Sequence, residues 1–187
     1  MRKLIFAINI SLDGCVDHTK QIVSNEGPEY LEYFVELMGD ADVQIFGRKT
    51  YELMVPYWPD VAKDPSSSKE DREFAQAFNS LDKVVFSRTL NKVEDANTTI
   101  VSTDLRDEIL RLKKEQGKNI LVGGVDIPSQ MMELGLIDEF RFVVGPTIVG
   151  EGRRLFDGAH PPEKLKLKLV ESKVFESGRV ALRYLKQ

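Results

Sequence analysis

The chain has 187 residues and a mass of 21.2 kDa. This length suits one domain with a sizeable core and is too short for two domains of ordinary size. Its 42% hydrophobic and 30% charged residues are typical of a soluble globular protein. A net charge of −4 and a pI near 5.4 argue against a nucleic-acid binder, which needs a broad cationic surface. Any phosphate site must therefore be local.

The N-terminal segment is interpreted as a first strand rather than a targeting signal. Its apolar run at residues 4–8 is interrupted by Asn9, Ser11 and Asp13, and no small-residue cleavage site follows. Cys15 is the only cysteine, which excludes an internal disulfide, and the two histidines make a histidine-rich metal site unexpected. We therefore expect a cytoplasmic protein with no metal, no membrane partner and no nucleic-acid partner.

Strand and helix patterns alternate along most of the chain. Apolar runs predict strands at 3–10, 43–46, 83–86, 99–102, 119–122 and 140–144, with a polar loop over 11–25. Helical periodicity predicts helices at 27–38, from 49 to about 55, and at 69–78, 105–117 and 126–134, while the proline-bounded segment 56–59 cannot continue the second helix. Alternation around 165–169 and 180–184 predicts a closing hairpin. We expect one α/β domain over residues 1–187, with a mostly parallel central sheet and a C-terminal antiparallel hairpin.

Three predicted strands are followed directly by residues that could bind a phosphate group, and we call these segments the strand exits. Gly47-Arg48-Lys49-Thr50 follows the second strand and opens a helix, so backbone N–H groups and cationic side chains point at one place. Ser87-Arg88-Thr89 follows the third strand and Gly123-Gly124 follows the fifth. Ligands of open α/β sheets bind at the carboxyl ends of the strands, so these motifs converge if the three strands are neighbours. A nucleotide cofactor is the first hypothesis.

Six motifs follow one another in a specific order along the chain. They are Ser11-Leu12-Asp13-Gly14, Gly47-Arg48-Lys49-Thr50-Tyr51-Glu52, Lys83-Val84-Val85-Phe86-Ser87-Arg88-Thr89, Gly123-Gly124, Gly135-Leu136-Ile137-Asp138-Glu139 and Gly150-Glu151-Gly152-Arg153-Arg154-Leu155-Phe156. This order resembles the dihydrofolate-reductase-like superfamily, and within it the chain is most similar to the RibD C-terminal domain, the reductase domain of riboflavin biosynthesis. The resemblance covers essentially the whole chain and implies a three-layer dihydrofolate-reductase-like fold, an NADPH-dependent oxidoreductase and a homodimer.

The same resemblance implies which residues hold NADPH. The basic motif after the second strand would bind phosphate groups, Ser87 and Arg88 would bind the adenosine 2′-phosphate, and the glycine pair would let the pyrophosphate approach the backbone. The first strand and the loop after it would flank the nicotinamide. The expected cofactor residues are Ala7, Ile8, Gly14, Gly47, Arg48, Lys49, Thr50, Ser87, Arg88, Thr89, Val122, Gly123, Gly124 and Val125.

The hydride acceptor is expected between the loop at 11–15, the first helix and residues 150–152. In the riboflavin family the reaction reduces the ribosyl group of a ribosylaminopyrimidine to a ribityl chain. Asp13 and Glu151 are the candidate catalytic residues, as proton donor or as contacts to ribose hydroxyls, although Asp13 could equally shape a turn. Gly152 and Trp58 are the candidate substrate-binding residues, although Trp58 could instead pack in the core.

Two other functions stay open: a dihydrofolate reductase, or a non-catalytic nucleotide-binding protein with the same fold. Dihydrofolate reductases place a pterin-binding acidic residue on the first helix. Here the apolar stripe at positions 30, 31, 34, 35 and 38 puts Glu29, Glu32 and Glu36 on the opposite face, where we expect them to be solvated. This departure counts against folate as the substrate, and a different small molecule is expected.

Overall fold

The helices and strands follow one another in the predicted alternating order. The computed structural model describes residues 1–17, 28–93, 95–161 and 163–187. In chain order, the elements of these ranges are β1 (Leu4–Ser11), α1 (Pro28–Gly39), β2 (Ala41–Gly47), α2 (Arg48–Met54), α3 (Tyr57–Lys63), α4 (Lys69–Ser80), β3 (Asp82–Phe86), β4 (Thr98–Val101), α5 (Leu105–Lys114), β5 (Asn119–Val122), α6 (Asp126–Glu133), β6 (Glu139–Gly145), β7 (Leu167–Val174) and β8 (Val180–Lys186).

The strands form a single sheet in the order β4-β3-β2-β5-β1-β6-β8-β7. Pairing is parallel from β4 through β6, whereas β6 with β8 and β8 with β7 pair antiparallel. The predicted mostly parallel sheet with a C-terminal antiparallel hairpin is therefore confirmed. Since β2 lies between β3 and β5, the three strands that end in phosphate-binding motifs are neighbours.

Apolar layers cover both faces of this sheet. On β1, Leu4 and Phe6 point into a cluster shared with α5 and α6, while Ile5 points into a second cluster shared with α1, α3 and α4. All three side chains are at most 1% exposed, as expected for a strand buried on both faces. Helices above and below one sheet give the predicted three layers.

Helix α3 is the main difference from the sequence prediction. Pro56 and Pro59 indicated a segment that could not continue the preceding helix, and α2 does end before it. Pro56 instead caps α3, and Pro59 lies in its first turn, where a missing N–H costs no hydrogen bond. The prolines therefore begin a new helix.

Helix α1 also differs in detail. Tyr33 and Leu37 are buried in addition to Tyr30, whereas Phe34 and Val35 are only half-buried. The predicted polar loop over 11–25 and the predicted helix start at 27 fall largely on residues 18–27, which lie outside the described residues. Within the described ranges, no helix combines the length and apolar character needed to span a bilayer.

Candidate functional site

The three motifs predicted to bind phosphate converge at one end of the sheet. Gly47, the last residue of β2, is paired in register with Phe86 at the end of β3. On the other side of β2, the backbone N–H of Gly123 donates to the carbonyl oxygen of Ile45 at 3.1 Å. The segments that follow these three strands therefore leave the sheet side by side, as the sequence analysis required.

Close backbone approach explains the glycines in this region. Gly124 has φ +86°, and a Cβ atom at this position would lie 2.5 Å from Thr50 Oγ1. A Cβ on Gly47 would lie 3.1 Å from Ile127 Cγ1 on α6. The end of β5 and the starts of α2 and α6 thus border one space at this end of the sheet, and only a glycine at position 124 avoids a clash with Thr50.

The helices that begin here lack side-chain caps. No side chain caps α2 at Gly47 or α6 at Val125, whereas Ser68 caps α4 and Asp104 caps α5 through backbone N–H groups. The first-turn N–H groups of a helix need a partner, and an anionic ligand can supply it. Helix α5 begins at this same end of the sheet, since Val101 at the end of β4 pairs with Phe86, but Asp104 already caps it. The first-turn N–H groups that an anion could use where the motifs meet are therefore those of α2 and α6.

The cationic side chains lie at the surface around this space. Arg48 donates to both carboxylate oxygens of Glu52, at 2.9 and 3.0 Å, so it lies along α2. Such an exposed pair contributes only about 0.5 kcal/mol, which a phosphate could replace. Lys49 is exposed and close enough to Asp126 on α6 to help lower its pKa, after the larger effect of a hydrogen bond from Arg153.

The segment after β3 is a turn that exposes Arg88. Ser87 Oγ accepts hydrogen bonds from the backbone N–H groups of Thr89, at 3.2 Å, and Leu90, at 2.9 Å. Ser87 therefore shapes the turn, while Arg88 at its tip is exposed. The Tyr51 hydroxyl donates to Asp95 at 2.7 Å, which ties α2 to the segment that leads from this turn into β4. This bond limits movement between the two cationic segments.

A second wall consists of the loop after β1 and the loop after β6. Three backbone hydrogen bonds of 2.8 to 2.9 Å join residues 12–16 to residues 147–155. The Cys15 thiol donates to the carbonyl oxygens of Glu151, at 3.3 Å, and Arg153, at 3.1 Å. Gly152, with φ +86°, packs against Cys15 and would place a Cβ atom 3.0 Å from its sulfur. These contacts fasten the two loops to each other, and we call them the paired loops.

Asp13 holds the paired loops together through its carboxylate. It accepts hydrogen bonds from the Ser11 hydroxyl at 2.6 Å, from the backbone N–H groups of Val149 and Gly150, and from Arg154. The hydrogen bonds from Ser11, Gly150 and Val149 hold the pKa of Asp13 far below its usual range. A carboxylate that stays ionised and is satisfied on both oxygens cannot serve as a proton donor near neutral pH. The geometry favours the turn-shaping alternative for Asp13 over the catalytic one.

The Asp13→Asn variant tests this interpretation. An amide has only one acceptor oxygen, and its NH₂ group would face a donor that Asp13 now accepts from, so the paired loops should loosen. We expect a lower melting temperature and a loss of activity smaller than the roughly 100-fold minimum typical of a missing general acid. The pH–rate profile should keep its shape. A loss above that range with an unchanged melting temperature would restore Asp13 as the donor.

An ion pair joins the paired loops to the phosphate-binding side. Arg153 donates to Asp126 in the first turn of α6 at 2.5 Å. The bond lowers the pKa of Asp126 and raises that of Arg153. Since α6 begins directly after Gly123-Gly124, residues 150–153 lie between the predicted acceptor space and the β5 exit.

The other predicted site residues are placed as follows. Ala7 and Ile8 on β1 are half-buried, and Glu151 is exposed on the paired loops. Trp58 on α3 is 8% exposed, and its ring lies 4.3 Å from that of Phe74. Trp58 is therefore mainly a core residue, which was the alternative to a substrate wall. The remaining predicted residues lie at or just after the strand ends described above: Gly14 follows β1, Val122 ends β5 and Val125 precedes α6.

Sequence reasoning missed a polar group near the end of β1. The side chain of Asn9 hydrogen-bonds to the hydroxyl of Tyr30, and the guanidinium carbon of Arg179 lies 5.5 Å from the centre of the Tyr30 ring. Asn9 was visible as a polar residue inside an apolar run. The burial of Arg179 could not be predicted from the sequence, because a cation next to a hairpin glycine is usually exposed. In the structure Arg179 is only 3% exposed.

Two other kinds of site are not supported. A cleft of about 800 Å³ lies at the opposite end of the sheet, between Arg2, Gly39 and residues 113–119, away from the three predicted phosphate-binding motifs. Two of its cations are already paired, because Arg2 pairs with Asp42 and Lys113 pairs with Asp138. Among the described residues, no group of three or more His, Cys, Asp or Glu side chains is arranged to hold a metal ion.

Comparison with known proteins supports the family assignment. Residues 2–181 match the RibD C-terminal domain family. The uncharacterized protein YyaP of Bacillus subtilis is 32% identical over 184 residues, which cover 98% of this chain and 94% of YyaP.

Solved structures agree on the fold. A Shewanella sp. PV-4 protein assigned by name to riboflavin biosynthesis aligns with a TM-score of 0.73 and 21% identity, over 99% of both chains. Acinetobacter baumannii RibD aligns with a TM-score of 0.68 and 17% identity, over all of this chain but 58% of RibD. Similarity at these identities shows a shared dihydrofolate-reductase-like fold. With the match over residues 2–181 and the identity to YyaP, the chain belongs to the RibD C-terminal domain family.

Proposed function

We propose that this protein is an NADPH-dependent reductase that acts on a small heterocyclic or ribosylaminopyrimidine substrate, as in riboflavin biosynthesis. The observation that carries the proposal is the place beside Gly124 and Thr50 where three adjacent strand ends and two uncapped helix starts meet. Backbone donors, a hydroxyl and nearby cations fit a pyrophosphate better than a neutral ligand. Membership of the RibD C-terminal family supports the reductase chemistry.

The proposed roles follow from position. Thr50 and the first-turn N–H groups of α6 would bind the pyrophosphate, and Arg88 would bind the 2′-phosphate. When bound, NADPH would supply the hydride for a carbon made electrophilic by imine formation. Glu151 on the paired loops is the remaining candidate proton donor, and Asp13 would position that loop. Alignment of the acceptor by β1 and the paired loops would supply most of the rate acceleration.

Folate is disfavoured as the substrate by the acidic residues of α1. Glu32 and Glu36 are exposed. Glu29 instead accepts hydrogen bonds from the backbone N–H of Glu176 and the hydroxyl of Ser177, at 3.1 and 2.9 Å, so it fastens α1 to the hairpin turn. Two of these carboxylates therefore face solvent and the third is already hydrogen-bonded, so none of them is placed to bind a pterin.

We also propose a cytoplasmic homodimer. Strand β7 is the outer edge of the sheet and carries Leu169 and Val174, which are 48% and 74% exposed. An apolar edge strand of this kind is usually covered. Light scattering should give about twice the mass of one chain, and a monomer at micromolar concentration would contradict the dimer.

The function is tested in two steps. Calorimetry should detect NADPH binding at micromolar concentrations, and NADPH absorbance should then fall on addition of 5-amino-6-(5-phosphoribosylamino)uracil and not of dihydrofolate. Failure to bind NADPH would reject both reductase alternatives. Binding without turnover of either compound would favour the non-catalytic nucleotide-binding protein.

The Arg88→Ala variant tests the 2′-phosphate role. Charge-assisted hydrogen bonds contribute about 1.5–3 kcal/mol, so NADPH affinity should fall by roughly 10- to 100-fold. NADH lacks that phosphate, so its affinity should stay within about two-fold of the wild-type value. Arg111→Ala is the control, because Arg111 is an exposed arginine in the last turn of α5, at the end of the helix far from the β3 exit. Equal losses for NADPH and NADH would remove the assignment.

A further inference from the structure

One buried acceptor atom on β1 has no hydrogen-bond partner. Among the described residues, the buried side-chain polar atoms that lack a partner are Asn9 Oδ1 and Trp58 Nε1. Buried polar atoms are nearly always paired, so each such atom needs a physical reason. Trp58 lies within the layer of α3 and α4, whereas Asn9 lies on the central site strand.

The position of Asn9 on β1 places it beside the predicted acceptor space. Side chains alternate along a strand, and Ile5 and Ala7 belong to the cluster on the α1 face. Asn9 therefore points to the same face of the sheet, two residues beyond Ala7. We expect Ala7 to contact the nicotinamide. Ser11, the next residue on that face, bonds to Asp13 of the paired loops. Asn9 lies between the predicted cofactor contact and those loops.

The surroundings of Asn9 fix one end of its amide. Because Oδ1 has no partner, the hydrogen bond between Asn9 and the Tyr30 hydroxyl is made by Nδ2. Tyr30 is held in turn by Phe34, with ring centres 5.8 Å apart, and by Arg179 over its ring. Tyr30 is thus a positioning residue that leaves Oδ1 as the available end.

An unpaired buried acceptor reduces the stability of the protein that carries it. Leucine has the same number of side-chain heavy atoms and the same branching as asparagine, and it would avoid that cost within the apolar run of β1. Retaining a polar amide here is understandable if a ligand supplies the missing donor. The terminal torsion of asparagine is soft, so a small rotation can turn Oδ1 toward such a ligand.

We propose that Asn9 Oδ1 accepts a hydrogen bond from a ring N–H group of the heterocyclic substrate and thereby determines its specificity. The inference rests on the proposed reductase function, because it places the ring beside the nicotinamide. The substrate class is a heterocycle with an N–H donor on its ring, such as a lactam or an imide. A site built to pair a substrate N–H rejects analogues that lack it, because its own polar group is then left unpaired.

The test compares diaminouracil with its ring-N-methylated analogue, both titrated calorimetrically into wild type and the Asn9→Leu variant, with and without saturating NADP⁺. Wild type should bind diaminouracil at least 10-fold more tightly than the methylated ring. Asn9→Leu should reduce that preference to about two-fold or less, with NADP⁺ affinity unchanged. Arg111→Ala, at an exposed position in the last turn of α5, is the control and should retain the full preference. Tyr30→Phe keeps Oδ1 but frees Nδ2, so it should weaken the preference less than Asn9→Leu does.

Melting temperatures without ligand give an independent readout. Asn9→Leu loses the bond to Tyr30 but also the unpaired acceptor, so it should melt no lower than Tyr30→Phe. A clearly lower melting temperature would show that Oδ1 has a structural partner and would overturn the proposal. So would absence of diaminouracil binding to wild type, or an N–H preference that survives in Asn9→Leu. Failure of NADP⁺ binding alone would instead reject the proposed reductase function.

Discussion

Replacing Glu139 by glutamine is expected to lower the free energy of unfolding by about 3 kcal/mol, because it breaks a buried cluster of charges. Glu139 on β6 is 1% exposed. It accepts hydrogen bonds from Arg141 Nε at 2.6 Å and from Arg183 Nε and Nη2 at 2.9 and 3.2 Å. The variant keeps two arginine side chains in place without the charge that balances them. Urea unfolding at neutral pH measures the loss.

Glu171→Gln is the matched control for this prediction. Glu171 pairs with the same Arg183, at 3.3 Å, but its side chain is 56% exposed. An exposed pair contributes at most about 1 kcal/mol, so this variant should lose much less stability than Glu139→Gln. Equal losses of stability in the two variants would mean that the burial of Glu139 does not increase its contribution to the free energy of unfolding. NADPH binding should be unchanged in both folded variants, because the cluster lies at the end of the sheet opposite the strand exits.

The pH dependence of the Glu139 effect has a definite sign. Burial acts to raise the pKa of Glu139, but hydrogen bonds from Arg183 and Arg141 outweigh it, so the pKa lies below the ordinary value of 4.5. A carboxylate with a lowered pKa stabilises the fold above its unfolded pKa and loses that contribution as pH falls through the folded pKa. The stability gap between wild type and Glu139→Gln should therefore shrink below about pH 4.5.

The convergence of the three candidate phosphate-binding motifs was predictable from the sequence because its signals are local. Each motif follows an apolar run within a few residues, and parallel strands bring their carboxyl ends to one edge of a sheet. The prediction needed only that β2 lie beside β3 and β5, and this arrangement is confirmed. Helix α3 was missed for a local reason as well, since Pro56 and Pro59 end one helix and equally suit the start of another.

The part of the site expected to bind the hydride acceptor was less predictable, because its contacts join residues that are distant in the sequence. Asp13 meets Val149, Gly150 and Arg154 only after β6 pairs beside β1, so its role as a carboxylate that holds two loops could not be separated from catalysis beforehand. Arg179 reaches Tyr30 only because the closing hairpin folds against α1. Residue type alone does not distinguish these buried polar groups from exposed ones.

Gly124→Ala is expected to weaken NADPH binding by on the order of 100-fold, through loss of charge-assisted hydrogen bonds to the pyrophosphate. The added Cβ atom would lie 2.5 Å from Thr50 Oγ1, so it would displace the hydroxyl that is proposed to bind the pyrophosphate and push the backbone away from it. The residue also has φ +86°, which costs a side-chain-bearing residue roughly 1–2 kcal/mol. Calorimetric titration and urea unfolding measure the two effects separately.

Gly158→Ala separates backbone strain from crowding. Gly158 has φ +76°, but a Cβ atom there would meet nothing within 4 Å. This control should lose a similar 1–2 kcal/mol of stability from the backbone alone and keep its affinity for NADPH. The double variant Thr50→Ala/Gly124→Ala removes the crowding atom, so it should be more stable than Gly124→Ala yet still bind NADPH weakly. If Gly124→Ala bound NADPH as tightly as Gly158→Ala, the β5 exit would not be the pyrophosphate site, and the cofactor would have to lie elsewhere along the strand ends.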